Sequence, residues 1–413
     1  MKKDSLFALS AFWFAWEFHW AALLGAAMQG QIARFAPADL IGTATAVLGG
    51  SGAVFSILAQ YGSGRISDRI GRRIPFVIAG TLLDIIALFG FARSPSFLVV
   101  VLTFAGVQIS LNIACGPYQA LMPDRVDMEA RGRASAVMGL LRLAGTAAGL
   151  FTAGLFVHQP GPHVSAATFE HGLTLLAAVI SAFLIAALVI TVAGVHESAP
   201  PRQATPVAGD WPERPSFIWL IISRSAVNLG LYSILPFLAF YLRFAQHVAQ
   251  YLHASITLLL IMIGCALVGT VPAGIGADRI SKKRIIYIAL VLLAAGAAGM
   301  SVTGSASWLL PLAMVLGVGW GAYYSVDWAL ACMLLPRGRA GALMAIWNIG
   351  ASAPQIAAPI VSGLLVDRVN ASMHDLGAGY RVVFALVAGC MLAGAAGLRF
   401  VHEPRAGVAA GSG

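Results

Sequence analysis

Charge is what this chain has least of. Only 10% of its 413 residues are Asp, Glu, Lys or Arg, against about a quarter in soluble domains. With 59% hydrophobic residues and a mean hydropathy of +0.83, a water-soluble globule is excluded. Cysteine is scarce too. Cys115, Cys265, Cys332 and Cys390 stand alone inside apolar runs with no CxxC pair, so they read as small core hydrophobes. No Walker loop, HExxH, GxSxG or zinc spacing occurs, so neither an enzyme nor a cofactor is expected. The ten-residue alternating segments of a membrane β-barrel are missing. The first apolar run follows Lys2 and Lys3 but ends in no small-residue cleavage site, and reads as a retained helix.

What the sequence has is apolar runs of about 20 residues, the length of a helix crossing a bilayer. Twelve spans are expected, at roughly 6–33, 38–65, 74–93, 96–122, 134–157, 171–195, 216–244, 250–277, 285–303, 306–335, 340–366 and 379–401. The stretch 196–215, with Pro200, Pro201, Pro206, Pro212 and Pro215, is too proline-rich for a folded insert. It divides the chain into an N-terminal six-helix bundle (1–195), a cytoplasmic linker (196–215) and a C-terminal six-helix bundle (216–413). The expected fold is an all-α polytopic membrane protein of two pseudo-symmetric bundles. Placing both termini inside puts nineteen of the 26 Lys and Arg residues in inner loops and five in outer ones. That asymmetry is a vote for cytoplasmic termini, in a bacterial inner membrane. The net charge of +9 then needs no nucleic-acid partner.

The halves repeat. Gly64-Arg65-Ile66-Ser67-Asp68-Arg69-Ile70-Gly71-Arg72-Arg73 returns degraded as Gly274-Ile275-Gly276-Ala277-Asp278-Arg279-Ile280-Ser281-Lys282-Lys283, 274 − 64 = 210 residues on. Arg131-Gly132-Arg133-Ala134 returns as Arg337-Gly338-Arg339-Ala340 at an offset of 337 − 131 = 206. Two anchors at nearly one offset mark an internal repeat of the kind that builds transporters, with the solute near midplane.

The charged loop after span 2, its echo after span 8 and the six-plus-six split resemble the major facilitator superfamily of secondary transporters. The resemblance implies alternating access. It also implies that Gly64, Asp68, Arg69, Gly71, Arg72 and Arg73, with Asp278 and Arg279 in the second copy, form a conformational latch. In that reading Asp68 faces the arginines and a neighbouring helix N-terminus; a purely topogenic loop would explain the arginines but not Asp68 or the glycines. A narrower likeness, to the sucrose/proton symporter-like (glycoside–cation symporter) branch, rests on Gly116-Pro117-Tyr118-Gln119-Ala120-Leu121-Met122-Pro123-Asp124. It rests also on Ser325-Val326-Asp327-Trp328-Ala329-Leu330, Trp347-Asn348-Ile349 and Ala353-Pro354-Gln355. Here Cys332-Met333 stands where relatives commonly carry a polar-acidic pair.

In the superfamily spans 1, 4, 7 and 10 line the cavity, so their polar residues are the site candidates. Trp13, Glu17 and Trp20 share one face of span 1. Glu17 is a proton-coupling candidate; an interfacial aromatic belt with a structurally bonded Glu17 is the bland alternative. His19 points away from Glu17. Gln108, Asn112, Cys115 and Gln119 form a stripe on span 4, suited to a polyhydroxylated solute or to interhelical bonding, ending at a Gly116-Pro117 kink. Arg142 on span 5 needs an acceptor: the solute, Glu17 or Asp84. Its repeat mate is Asn348. On span 7, Asn228 faces the solute and Arg224 snorkels to the inner interface. Span 10 presents Trp320, Tyr324 and Asp327, the second proton-coupling candidate. Span 11 offers Asn348, Ser352 and Gln355. Asp84 on span 3 reads as structural, and Gly145-xxx-Gly149 as close helix packing.

The solute contacts expected are Gln108, Asn112, Gln119, Arg142, Asn228, Tyr324, Asn348 and Gln355. The function expected is proton-coupled symport of a small polar solute such as a sugar or glycoside. The partners are that solute, protons or another coupling cation, and the lipid bilayer, in a monomeric protein. Efflux of amphipathic compounds and a non-transporting membrane sensor or assembly factor are the alternatives.

Overall fold

The computed structural model describes residues 5–126, 131–160, 164–195, 211, 213–277, 279–334 and 340–403. Among them all regular structure is helical, with no strand. The first half comprises α1 (Leu6–Ala22), α2 (Met28–Phe35), α3 (Ile41–Ser51), α4 (Ala53–Ile70), α5 (Ile74–Ala92), α6 (Phe97–Arg125), α7 (Arg131–Phe156) and α8 (Ala166–Gly194). The second comprises α9 (Arg214–Phe240), α10 (Tyr251–Gly276), α11 (Lys282–Val302), α12 (Leu309–Met333), α13 (Ala340–Met373) and α14 (Ala378–Leu398).

Among the described residues, eleven helical segments are long and apolar enough to cross a membrane. The twelfth span is α1, only 17 residues by itself, prolonged by a π-helical turn at Leu23–Ala27 into α2. The expected unbroken first span is therefore three pieces. The wide turn is braced from within, because the Gln29 amide reaches back to the Leu24 carbonyl at 2.6 Å. A second π turn, Tyr241–Ala245, ends the span begun by α9, the repeat mate of the first. The second span bends between α3 and α4 at Gly52, where a Cβ would lie 2.9 Å from Gln108 Cβ. Gly116-Pro117 lies inside α6, which continues to Arg125.

The surface fits hydrocarbon. Leu82, Leu83 and Ile86 on α5, and Ile288 and Val291 on α11, are exposed. Backbone polar groups are meanwhile satisfied within helices, as a lipid-facing chain requires.

By contact the chain divides into two compact units, Met1–Arg202 with Ala249–Thr257, and Gln203–Val248 with Leu258–Gly413. Within the first, α1 packs on α7 and α8, α6 on α4 and α5, and α5 on α8. Within the second, α9 packs on α13 and α14, and α11 on α12 and α14. These are the same pairings one repeat later. The last helix of each half, α8 or α14, thus packs on both its first span, at α1 or α9, and its third, α5 or α11.

Candidate functional site

In the first unit the site begins with two glycines. A Cβ on Gly145 would lie 2.3 Å from the Phe14 carbonyl oxygen, and one on Gly149 2.3 Å from that of Phe18. Only hydrogen at both positions lets α7 lie against the α1 backbone. One turn before Gly145, Arg142 is thereby delivered to Glu17. Arg142 Nε donates to Glu17 Oε1 at 2.7 Å, and its guanidinium lies 4.8 Å from the ring centre of Trp13. The side chains keep 45% and 20% of their exposure, so solvent or solute can reach the pair. Trp13, Trp16 and Trp20 continue as edge-to-face contacts along α1. Tyr118 stitches α6 to this face: its hydroxyl donates to the Leu9 carbonyl (2.7 Å) and accepts from the Phe12 N–H (3.2 Å).

The acceptor left open for Arg142 is thus Glu17. Asp84 has a different partner. His19 Nε2 lies 3.2 Å from Asp84 Oδ2, with both side chains at zero exposure. Ser110 of α6 reaches Asp84 Oδ1 at 3.3 Å. Sequence reasoning treated His19 and Asp84 separately. The available signal was that each is the only titratable residue of its kind on an otherwise apolar span.

The span-4 stripe is largely occupied by the protein itself. Gln108 donates to the Leu48 carbonyl (3.3 Å), Asn112 to the Gln108 carbonyl (2.7 Å), and Gln119 to Cys115 Sγ (3.0 Å). Gln108 and Asn112 remain half-buried and Gln119 exposed.

In the second unit Arg224 does not snorkel. It is buried and ion-paired with Asp327, at 6% and 1% side-chain exposure. The expectation failed because it counted residues from the helix end and not the acid that α12 supplies. Arg224 lies 3.5 Å over the ring centre of Trp347. Its Nε and the Trp347 Nε1 are buried without a hydrogen-bond partner. Beside them Tyr324 donates to Asn228 Oδ1 (2.8 Å), and Asn228 Nδ2 to the Gly350 carbonyl (3.1 Å). The α12 backbone reaches this place because Gly317 and Gly321 lie against α10. A Cβ there would approach the Met262 and Ala266 carbonyl oxygens to 2.4 and 1.9 Å. Gln355 is exposed. The side chain of Asn348 lies outside the described residues.

At the first charged loop Arg73 pairs with Asp68 at 2.9 Å, while Arg69 and Arg72 are exposed. Gly71 ends α4 in the left-handed region, φ 72°, with its N–H on the Ser67 carbonyl. Gly64 has open space around it. In the second copy Asp278 lies outside the described residues and Arg279 is exposed. Another acid joins the second copy. Glu403 accepts from the Ser281 hydroxyl (2.5 Å) and from the Lys282 and Lys283 N–H groups (2.9 and 3.4 Å), at the N-terminus of α11. Burial acts to raise its carboxyl pKa, but these bonds prevail and hold it below the ordinary range. The described residues contain no cluster of three or more metal-ligating acids, histidines or cysteines.

What the arrangement offers, in each half, is a carboxylate–arginine pair set against a tryptophan, Glu17–Arg142 at Trp13 and Asp327–Arg224 at Trp347. The Major Facilitator Superfamily profile matches residues 5–359 and 244–412. The uncharacterized MFS-type transporter YhjO of Bacillus subtilis (strain 168) is 22% identical over 354 residues, 84% of this chain and 81% of that protein. A bacterial homolog of the human lysosomal transporter Spinster, inward-facing and occupied, superposes with TM-score 0.74 at 15% identity. It covers 96% of this chain and 94% of that one. A D-xylose-proton symporter superposes with TM-score 0.71 at 13% identity, over 96% and 97%. Profile, relative and fold agree with the internal repeat, and the chain belongs to the major facilitator superfamily of membrane transporters.

Proposed function

We propose that this transporter is a proton-coupled symporter of a small polar solute, with a sugar or glycoside as the leading class. The observation that carries the reading is the pair of carboxylate–arginine contacts, Glu17–Arg142 and Asp327–Arg224. A proton on either carboxylate would cancel its charge and release a guanidinium donor to the solute. Binding of proton and solute would then favour each other. Tryptophan faces at Trp13 and Trp347 suit the apolar face of a sugar ring. Gln108, Asn112, Gln119, Arg142, Asn228, Tyr324, Asn348 and Gln355 are the proposed solute contacts. Asp68, Arg73 and their loop are the proposed latch, and Glu403 is added to it in the second half. The residues of 1–195 and 216–413 would act as rocking bundles joined by 196–215. The protein would work as a monomer in a bacterial inner membrane with both termini cytoplasmic.

The Trp13–Trp16–Trp20 ladder favours one second reading, efflux of flat amphipathic compounds. A thermal-shift screen of the purified protein against sugars, organic acids, amino acids and cationic dyes separates the two. It is run near about pH 5.5 and about pH 7.5, on either side of ordinary histidine titration. Sugar hits that strengthen at the lower pH support symport; hits confined to lipophilic cations replace it with efflux.

A further inference from the structure

We propose that the His19–Asp84 pair is a proton-binding site, separate from Glu17 and Asp327, formed where α1 and α5 both pack on α8. It does not rest on the symport reading.

The geometry sets the stoichiometry. His19 Nε2 and Asp84 Oδ2 are 3.2 Å apart, neither side chain has any exposure, and no other acid or base is within the cluster. With a neutral imidazole the pair carries one net negative charge, sealed from water. Such a charge is costly unless paired. Its polar support is thin. The single proton of Ser110 is offered at 2.7 Å to the Gly106 carbonyl and only at 3.3 Å to Asp84. Neither His19 nitrogen nor Asp84 Oδ2 has a hydrogen-bond partner, so imidazole and carboxylate meet as a close approach and not as a formed hydrogen bond. One added proton, on the imidazole or on the carboxyl, makes the pair neutral. A second would leave a buried cation with nothing to balance it. The ligand is therefore one proton.

The surroundings leave this assignment to the pair alone. On α1 the other titratable group is Glu17, engaged by Arg142 of α7. On α8 the only such groups are Glu170, bonded to Arg34 of α2 at 2.6 Å, and His171. Residues 97–121 of α6 contain no acid, lysine, arginine or histidine, and α5 carries only Asp84. The pair also straddles a place where α1 can give. The π turn begins just beyond it, with the Leu23 N–H on the His19 and Trp20 carbonyls. A turn of this kind absorbs a change of register in a helix. A shift of α1 there would separate imidazole from carboxylate and expose the proton.

The test needs no solute. Proton uptake by the full-length protein in lipid nanodiscs is titrated from about pH 8 to about pH 5, where histidine changes charge. H19Q and D84N should each bind one proton per molecule fewer than wild type. The double variant should lose no more than either single one, because the proton is shared, and D84E should restore it. In an E17Q or a D327N background H19Q should still remove one further proton, because the sites are separate. Unchanged uptake in both single variants, or a loss of two protons in the double, overturns the proposal. Should the variants fold poorly, nitrogen-15 histidine spectra of wild type decide. One buried histidine must respond across that range, either by becoming imidazolium or by a shift of the neutral ring as its carboxylate neighbour takes the proton, and spectra in which no buried histidine responds overturn the proposal equally.

Discussion

Arg224 on α9 and Asp327 on α12 meet inside the second unit, with the indole of Trp347 under the guanidinium at 3.5 Å. Neither charge has water to fall back on, so each exists at the expense of the other. Removing one leaves an uncompensated buried ion. We expect Asp327→Ala to destabilise the protein by about 3–5 kcal/mol. Replacing both, as Arg224→Met with Asp327→Leu, should recover most of the loss. Thermal unfolding in detergent, followed by tryptophan fluorescence, checks it. A double variant no more stable than the single would mean that the pair holds α9 to α12 by something other than charge balance.

The glycine contacts make a sharper prediction. Gly149→Val puts side-chain atoms where the Phe18 carbonyl oxygen lies, 2.3 Å from a Cβ. Two helix backbones must then part, at about 1–3 kcal/mol, and Arg142 withdraws from Glu17. Gly139 on the same helix has nothing within 4 Å of its Cβ position. There Gly139→Ala should be neutral or stabilising by up to about 1 kcal/mol through helix propensity. Equal effects of the two substitutions would contradict close α1–α7 packing.

The charged loop separates in the same way. Gly71 holds φ 72°, where a Cβ costs roughly 1–2 kcal/mol. Gly64, inside α4 with open space around it, gains propensity from Ala. Gly71→Ala should therefore lower the unfolding temperature and Gly64→Ala should not. If Gly64→Ala nonetheless abolishes transport while leaving stability intact, that glycine serves motion of the loop and not its resting shape.

Glu403 gives a pH dependence. Its folded pKa lies below the unfolded value because of the bonds to Ser281, Lys282 and Lys283. Its contribution is thus fully present above the unfolded carboxylate range and is lost as pH falls through the folded pKa. Wild type should lose its advantage over Glu403→Gln on acidification below about pH 4.3. The group is only half-buried, so solvent screening keeps the difference small and it is best read as the pH trend of the two unfolding temperatures. Parallel curves would show that the C-terminal segment is held to α11 by other contacts.

The fold was legible because membrane solvation leaves few options. Apolar length suffices to find the helices able to cross a membrane, and the charged loop with its echo suffices to point to the family. Gly145 and Gly149 announced helix contact by spacing alone. The site was legible only one helix at a time. Periodicity places Glu17, His19 and Asp327 on faces of their own helices, but it cannot say which neighbour presents Arg142, Asp84 or Arg224 to them. That depends on close approach between helices distant in sequence. For the same reason the Arg224 partner was missed, and Glu403, 121 residues from Lys282, could not be foreseen as a partner of the second loop. The π turns left no mark in composition.

The remaining prediction concerns coupling. Both candidate carboxylates face an arginine, so a neutral isostere does at each what a bound proton would do: it removes the negative charge and frees the guanidinium. Glu17→Gln and Asp327→Asn should therefore still bind a solute, with weaker dependence on pH, while losing its accumulation against a gradient. Proteoliposomes loaded with the solute that thermal shift identifies would show this. Exchange of labelled for unlabelled solute should persist, and uptake driven by an inward proton gradient should fall toward equilibration. The half that carries the coupling proton is the one whose single substitution uncouples. If uphill uptake survives with both carboxylates replaced, neither Glu17 nor Asp327 carries the proton, and the buried His19–Asp84 pair is the next site to replace.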